Sequence, residues 1–176
     1  MKTLEQIIID NQPVSGVYWV GEIFPEDELK NLDVKLSPKT YHIKGSQIHT
    51  SQEFLNTARA AMDAPEPCTY NWDMFGDCMR GIDHPSAPNK NHIFIYDAIE
   101  VFAKSSPLDF QISIQIMIDS TGAWRERLSQ KRMYALLLGD KIVLQSLANT
   151  YSWLGKEIVN DFWLLFNIMS HQAGNS

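Results

Sequence analysis

Three short apolar segments constrain the fold of this chain more than any other feature. They are residues 41–44, 93–96 and 133–138, and each is only four to six residues long. Short apolar runs bounded by glycine or polar residues are typical of buried strands. Segments of helical pattern lie between them, in the order strand, helix, helix, strand, helix, strand. That order predicts an α/β fold in which helices cover one or both faces of a small sheet.

The helical segments differ in how clearly they are marked. One begins at Ser51, a serine cap, and has an apolar side made by Phe54, Leu55, Ala58 and Ala61. Pro65 and Pro67 end it. A short helix is predicted over residues 97–103, and a longer one over residues 147–169.

The segment 110–118 allows two predictions. Apolar residues alternate along it, which favours a strand: Phe110, Ile112, Ile114, Ile116 and Ile118. Asp109 as a cap and the polar residues after Trp124 favour a long helix.

The bulk properties are those of a globular binding protein. A chain of 176 residues with 44% hydrophobic residues fits one domain and can bury a core. Its net charge of −6 disfavours direct binding to nucleic acid and favours a basic protein partner. The chain shows no signal peptide and no apolar run long enough to span a bilayer, so we expect a cytoplasmic protein without membrane contact.

Catalysis and bound cofactors find no support in the sequence. The five histidines are scattered, and no nucleophile motif, phosphate loop or metal spacing occurs. Cys68 and Cys78 are ten residues apart, which matches no zinc or redox motif. We expect Cys78 to be a small buried apolar residue and Cys68 to lie exposed in a loop, in a reducing compartment. The sequence therefore predicts neither an enzyme nor a cofactor.

The segment from Asn71 to Gly81 carries the functional prediction. Asn71 is a good helix cap, and the helix has an apolar stripe made by Phe75, Cys78, Met79 and Ile82. The opposite side carries Asp73, Gly76, Asp77 and Arg80.

Two acids one helical turn apart repel each other, and a helical glycine costs about 1 kcal/mol relative to alanine. A helix that carries both features outward suits a partner with arginine, lysine or a phosphate-binding site. The alternative is an ordinary solvated face on which Arg80 pairs with Asp77.

Several segments in order make the chain resemble the barstar family of ribonuclease inhibitors, from residue 41 to residue 139. The landmarks are YHIKG at 41–45, Phe54-Leu55, Pro65, Asn71-Trp72-Asp73, Asp77-Cys78, IFI at 93–95, WRER at 124–127 and MYALLLG at 133–139. The GVYW segment at 16–19 also resembles longer bacterial members. The resemblance implies a three-stranded parallel sheet flanked by helices, with an N-terminal lead-in (1–40), a barstar-like domain (41–140) and a C-terminal helical extension (141–176).

The resemblance also implies a binding mode, in which the helix from Asn71 enters a ribonuclease active site. Asp77 matches the acid that fills the phosphate site, Asp73 a flanking acidic contact, and Asn71 a contact at the start of the helix. Asp119 stands near a further acidic contact of the family.

The chain departs from the family pattern at two places beside these residues. Tyr70 stands in place of a loop aromatic in a shifted register. Gly76 replaces a residue that is larger in many members.

The sequence thus predicts an inhibitor whose partner is a basic ribonuclease or a related toxin nuclease. The predicted binding residues are Tyr70, Asn71, Asp73, Gly76, Asp77, Arg80 and Asp119. A different class of function is the alternative: a non-inhibitory assembly module that forms a homodimer through its C-terminal helix.

Overall fold

The computed structural model describes residues 15–20, 39–82, 91–126 and 132–139. The strands are β1 (Gly16–Val20), β2 (Lys39–Ile43), β3 (His92–Tyr96) and β4 (Met133–Leu138). The helices are α1 (Ser51–Met62), α2 (Trp72–Gly81), α3 (Ile99–Ser105) and α4 (Pro107–Glu126), with 3-10 turns at Gly45–Gln47 and Glu66–Thr69.

The strands form one parallel sheet in the order β1-β4-β3-β2. The predicted α/β fold is therefore confirmed, but the predicted count of three strands is wrong. The additional strand is β1, which comes from the predicted lead-in and pairs with β4 from Gly16–Tyr134 to Val20–Leu138. Without β1, the backbone groups along that side of β4 would lack partners within the sheet.

The core between the sheet and the helices is built around Phe54 of α1, which is fully buried. Four aromatic rings surround it with centroids 5.5–5.6 Å away: Trp72, Phe75, Tyr96 and Phe102. Aromatic pairs at such distances add to the free energy gained from burial. This cluster joins α1, α2, α3 and β3, so the helix with the predicted binding residues is fixed directly to the core.

Residues 110–118 form part of α4, which settles the choice between strand and helix. The buried residues Phe110, Ile114 and Met117 follow helical spacing, whereas Ile112 is 40% exposed. The apolar residues that alternate along this segment are therefore not all buried. Pro107 occupies the first helical position, where the missing N–H is not needed.

The predicted helices at 51 and 97 both occur, with small corrections at their starts. Thr50, not Ser51, caps α1: its side chain accepts a hydrogen bond from the Glu53 N–H, and the Glu53 carboxylate accepts one from the Thr50 N–H. Helix α3 starts at Ile99 because Ala98 adopts a left-handed conformation with φ of 46°.

Within the described ranges, no helix combines the length and apolar character that crossing a bilayer requires. The predicted C-terminal helix at 147–169 lies outside the described residues, and the alternative homodimer stays a prediction.

Candidate protein-binding site

Helix α2 is held against the core by its apolar side. Phe75 and Met79 are fully buried, and the helix packs against α4. Asn71 caps it as predicted, because its side-chain oxygen accepts a hydrogen bond from the Met74 N–H at 2.9 Å. With the apolar side anchored and the first turn capped, the direction of the opposite side is fixed.

Asp73 and Asp77 lie on the exposed side of α2. Both residues are exposed, and the Asp77 side chain retains 72% of its accessible surface. Asp77 is not an isolated carboxylate, however. Arg80 donates a hydrogen bond from Nη2 to Asp77 Oδ1 over 2.6 Å, in an i,i+3 ion pair. The prediction of two acids facing water is confirmed for their exposure, but Asp77 has a cation of its own chain.

Gly76 differs from its prediction, since it is buried although it lies on the same side as the acids. A Cβ atom placed on Gly76 would lie 3.2 Å from Nη1 and 3.4 Å from Nη2 of Arg80. The Arg80 side chain therefore extends back along the helix and covers the glycine. The predicted binding residues Gly76, Asp77 and Arg80 thus form one contiguous group.

The loop before α2 is tied to the helix by a disulfide bond between Cys68 and Cys78. The expectation of two thiols is wrong, and the predicted burial is reversed: Cys68 is fully buried and Cys78 is half-buried. The 3-10 turn at Glu66–Thr69 brings Cys68 back towards the helix, with a Cα–Cα distance of 5.9 Å to Cys78. Spacing in the sequence did not show this because a ten-residue separation fits no motif.

Tyr70 lies between the disulfide-bound turn and the helix cap, and it is 64% exposed. Its neighbour Thr69 is buried and donates a hydrogen bond to the Glu66 carbonyl at 2.9 Å. The exposed ring is therefore carried on a fixed backbone. We call Tyr70, Asn71, Asp73, Gly76, Asp77 and Arg80 the α2 surface.

Asp119 does not belong to the α2 surface, because it lies on α4. It is exposed and accepts a hydrogen bond from the Gln115 side chain at 2.8 Å. Helix α4 packs against α2, so Asp119 and the acids of the α2 surface lie on neighbouring helices. Six of the seven predicted binding residues are thus brought together, and the seventh stands on an adjacent element.

A second paired carboxylate lies where β2 and β3 end. Asp97 Oδ2 accepts a hydrogen bond from His42 Nε2 at 2.7 Å, and Asp97 Oδ1 accepts one from the Gly45 N–H at 2.7 Å. Burial raises the pKa of Asp97, but these two hydrogen bonds outweigh burial and hold the pKa below its ordinary value of 3.8.

Any side chain at Gly45 would collide with the carbonyl oxygen of Asp97. The positions of Gly45 and Asp97 directly after adjacent parallel strands could have predicted this contact.

Among the described residues, no group of three or more His, Cys, Asp or Glu side chains could hold a metal ion. His92 is buried in the core, with Nδ1 3.0 Å from the Tyr41 hydroxyl, and burial raises the pKa of Tyr41 to about 12. His84, a conceivable acid–base partner for Asp73 or Asp77, lies outside the described residues.

A comparison with protein families identifies the chain. The family described as Barstar (barnase inhibitor) matches residues 39–135, which is more than half of the chain. The chain belongs to the barstar family. The barstar match includes all of α2 and starts after β1, so the strand from the lead-in lies outside the region that the family shares.

The comparison with solved structures adds to the description of the fold. The chain is similar to the Aeropyrum pernix ORC2 protein in its ADPNP–ADP complexes, with a TM-score of 0.55 and 13% identity over 88% of this chain and 44% of that protein. The chain thus spans less than half of that protein, and the likeness concerns the fold alone. The sequence contains no G-x-x-x-x-G-K-[ST] phosphate-binding segment. No curated protein matches the chain.

Proposed function

We propose that this chain inhibits a basic ribonuclease, and that the α2 surface enters the phosphate-binding part of the nuclease active site. The observation that carries the proposal is the exposure of Asp73 and Asp77, one helical turn apart, on the helix of a barstar-family chain. Carboxylates at this spacing suit the arginine and lysine side chains with which a nuclease binds phosphate.

The remaining features of the α2 surface support the same proposal. The exposed Tyr70 adjoins the acids and offers the kind of aromatic contact that is enriched in protein interfaces. The disulfide bond and the Asn71 cap hold the loop and helix in one conformation, which reduces the entropy lost on binding. The net charge of −6 favours rapid association with a basic partner.

The proposal is tested by measuring RNA cleavage by a panel of small basic bacterial ribonucleases with and without the full chain. We expect at least one to be inhibited stoichiometrically. For that enzyme, Asp77→Ala should weaken inhibition more than any other change on the α2 surface. Removing one partner of a buried charge pair at an interface costs about 2–5 kcal/mol, a range informed by the barnase–barstar pair itself.

Asp63→Asn provides a matched control. Asp63 is exposed at the end of α1 in a left-handed conformation that asparagine tolerates, so this variant also loses one negative charge. We expect its inhibition constant to stay close to that of the wild type. Equal inhibition by wild type and Asp77→Ala would show that Asp77 does not fill the phosphate site.

A further inference from the structure

The Arg80 guanidinium donates a hydrogen bond to one oxygen of the Asp77 carboxylate. Nη2 lies 2.6 Å from Asp77 Oδ1, and the Arg80 side chain is 40% exposed while that of Asp77 is 72% exposed. The pair lies at the surface, so water and salt weaken it, and a stronger cationic site can replace Arg80.

Gly76 makes this arrangement possible. The guanidinium lies above the glycine, and a Cβ at position 76 would come within 3.2 Å of Nη1. That separation is shorter than ordinary van der Waals contact, so a Cβ at this position would require the guanidinium to shift by a few tenths of an ångström. The Arg80 guanidinium therefore lies over position 76 because that residue has no side chain.

From these contacts we infer that Arg80 is an intramolecular competitor that sets the affinity of the α2 surface for cationic partners. This inference rests on the proposed function and deepens it. A partner gains the full interaction with Asp77 only after its own cations have displaced Arg80. The residue acts on binding by occupying Asp77, and it is not itself the main contact.

The competition favours a particular kind of partner. Displacing Arg80 imposes the same small penalty on every cation that uses Asp77. A single surface lysine gains little from an exposed carboxylate, so the penalty removes most of its binding. A cleft in which several cations converge on one phosphate position gains much more, and it binds despite the penalty. The partner inferred is therefore a phosphate-binding cleft with two or more cations.

The test uses a ribonuclease from the panel that the wild-type chain inhibits. Arg80→Ala should lower the inhibition constant about two- to fivefold, which is the range that corresponds to an exposed ion pair. Lys104→Ala is the control, because it removes one exposed positive charge from α3 and changes the net charge equally. We expect no comparable gain for Lys104→Ala.

Two further variants separate competition from a general charge effect. In a chain that already carries Asp77→Ala, Arg80→Ala should leave the inhibition constant nearly unchanged, because the carboxylate for which Arg80 competes is gone. Gly76→Ala keeps the arginine and requires its guanidinium to shift by only a few tenths of an ångström, so it should change the inhibition constant less than Arg80→Ala does. Circular dichroism checks the fold, and Arg80→Gln replaces any Arg80→Ala protein that does not fold.

The outcomes distinguish the inference from the proposal beneath it. If Arg80→Ala inhibits the same ribonuclease equally or less well than wild type, Arg80 is not a competitor, and the inhibitor function stands. If neither wild type nor Arg80→Ala inhibits any ribonuclease of the panel, the inhibitor function is overturned and the inference with it.

Discussion

Asp77 and Asp97 each accept a hydrogen bond from a side chain of their own chain, Arg80 and His42 respectively, but they stand in different surroundings. Asp77 lies on the exposed side of α2, and one side-chain cation contacts it. Asp97 lies at the end of β3, is about one-third exposed, and receives hydrogen bonds from His42 and from the Gly45 backbone. Asp97 therefore joins the ends of two strands, whereas Asp77 joins only neighbouring turns of its own helix.

The difference shows how to separate a binding acid from a structural one. A carboxylate that accepts a backbone N–H from another element is part of the fold, because its loss leaves that N–H without a partner. A carboxylate paired only with an exposed side chain on the same helix contributes little to stability and can exchange partners. On this criterion Asp77 can exchange its partner, as the proposed function requires, while the contact at Asp97 is a structural connection.

Removing the disulfide bond is expected to have the largest effect on stability, and to loosen the loop before α2 locally. A bond that closes a loop of about ten residues contributes about 3 kcal/mol to the free energy of unfolding. We expect the free energy of unfolding to fall by this amount after reduction with dithiothreitol, and equally in a Cys68→Ser/Cys78→Ser chain. Urea unfolding measures it. Amide hydrogen exchange should rise at residues 66–70 and stay unchanged at Gly45. Faster exchange at Gly45 would mean that the two regions are coupled.

Replacing Asp97 should destabilise the chain without affecting binding, and replacing Asp77 should do the reverse. Asp97→Ala removes hydrogen bonds to a charged acceptor, which are worth about 2 kcal/mol in total. Asp77→Ala breaks only an exposed ion pair, so its free energy of unfolding should change by less than about 0.5 kcal/mol. Thermal and urea unfolding measure the stability of both variants. A large loss of stability in Asp77→Ala would place that residue with the structural acids.

Part of the pH dependence of stability should come from Asp97, and this effect should be smaller than the two above. Because the folded-state pKa of Asp97 lies below 3.8, the stabilising contribution is complete above that value. It is lost as the pH falls from about 4 through the lower folded-state pKa. Urea unfolding between about pH 5 and pH 2 should therefore show a decline that is shallower in Asp97→Asn. Identical slopes for the two proteins would rule out Asp97 as the source.

Much of this structure could be predicted from local pattern. The strands near residues 41, 93 and 133, the α1 and α2 helices and the Asn71 cap follow from apolar runs, proline positions and capping preferences. The alternation at 110–118 was indecisive because Ile112 is exposed while Ile114 and Met117 pack on the core. Local pattern does not show which apolar positions meet the sheet.

The details of the site depended on contacts that the sequence does not display. The Cys68–Cys78 bond requires the 3-10 turn to reverse the chain. The Arg80 side chain turns back over Gly76 because the glycine leaves space there. The two cysteines have no recognisable spacing motif, whereas Gly76 and Arg80 are i,i+4 neighbours on one helix for which only the structure shows the direction of the arginine side chain.

The pairing of β1 with β4 has a practical consequence for where the chain can be cut. A fragment that follows the shared family region would begin at residue 39 and lose β1, together with the hydrogen bond between the Ser15 hydroxyl and the Met133 N–H. The apolar strand at 133–138 would then become a sheet border with free backbone donors and acceptors, which invites strand-to-strand aggregation. Expression trials should therefore begin no later than Ser15, even though α2 lies far from β1 in sequence.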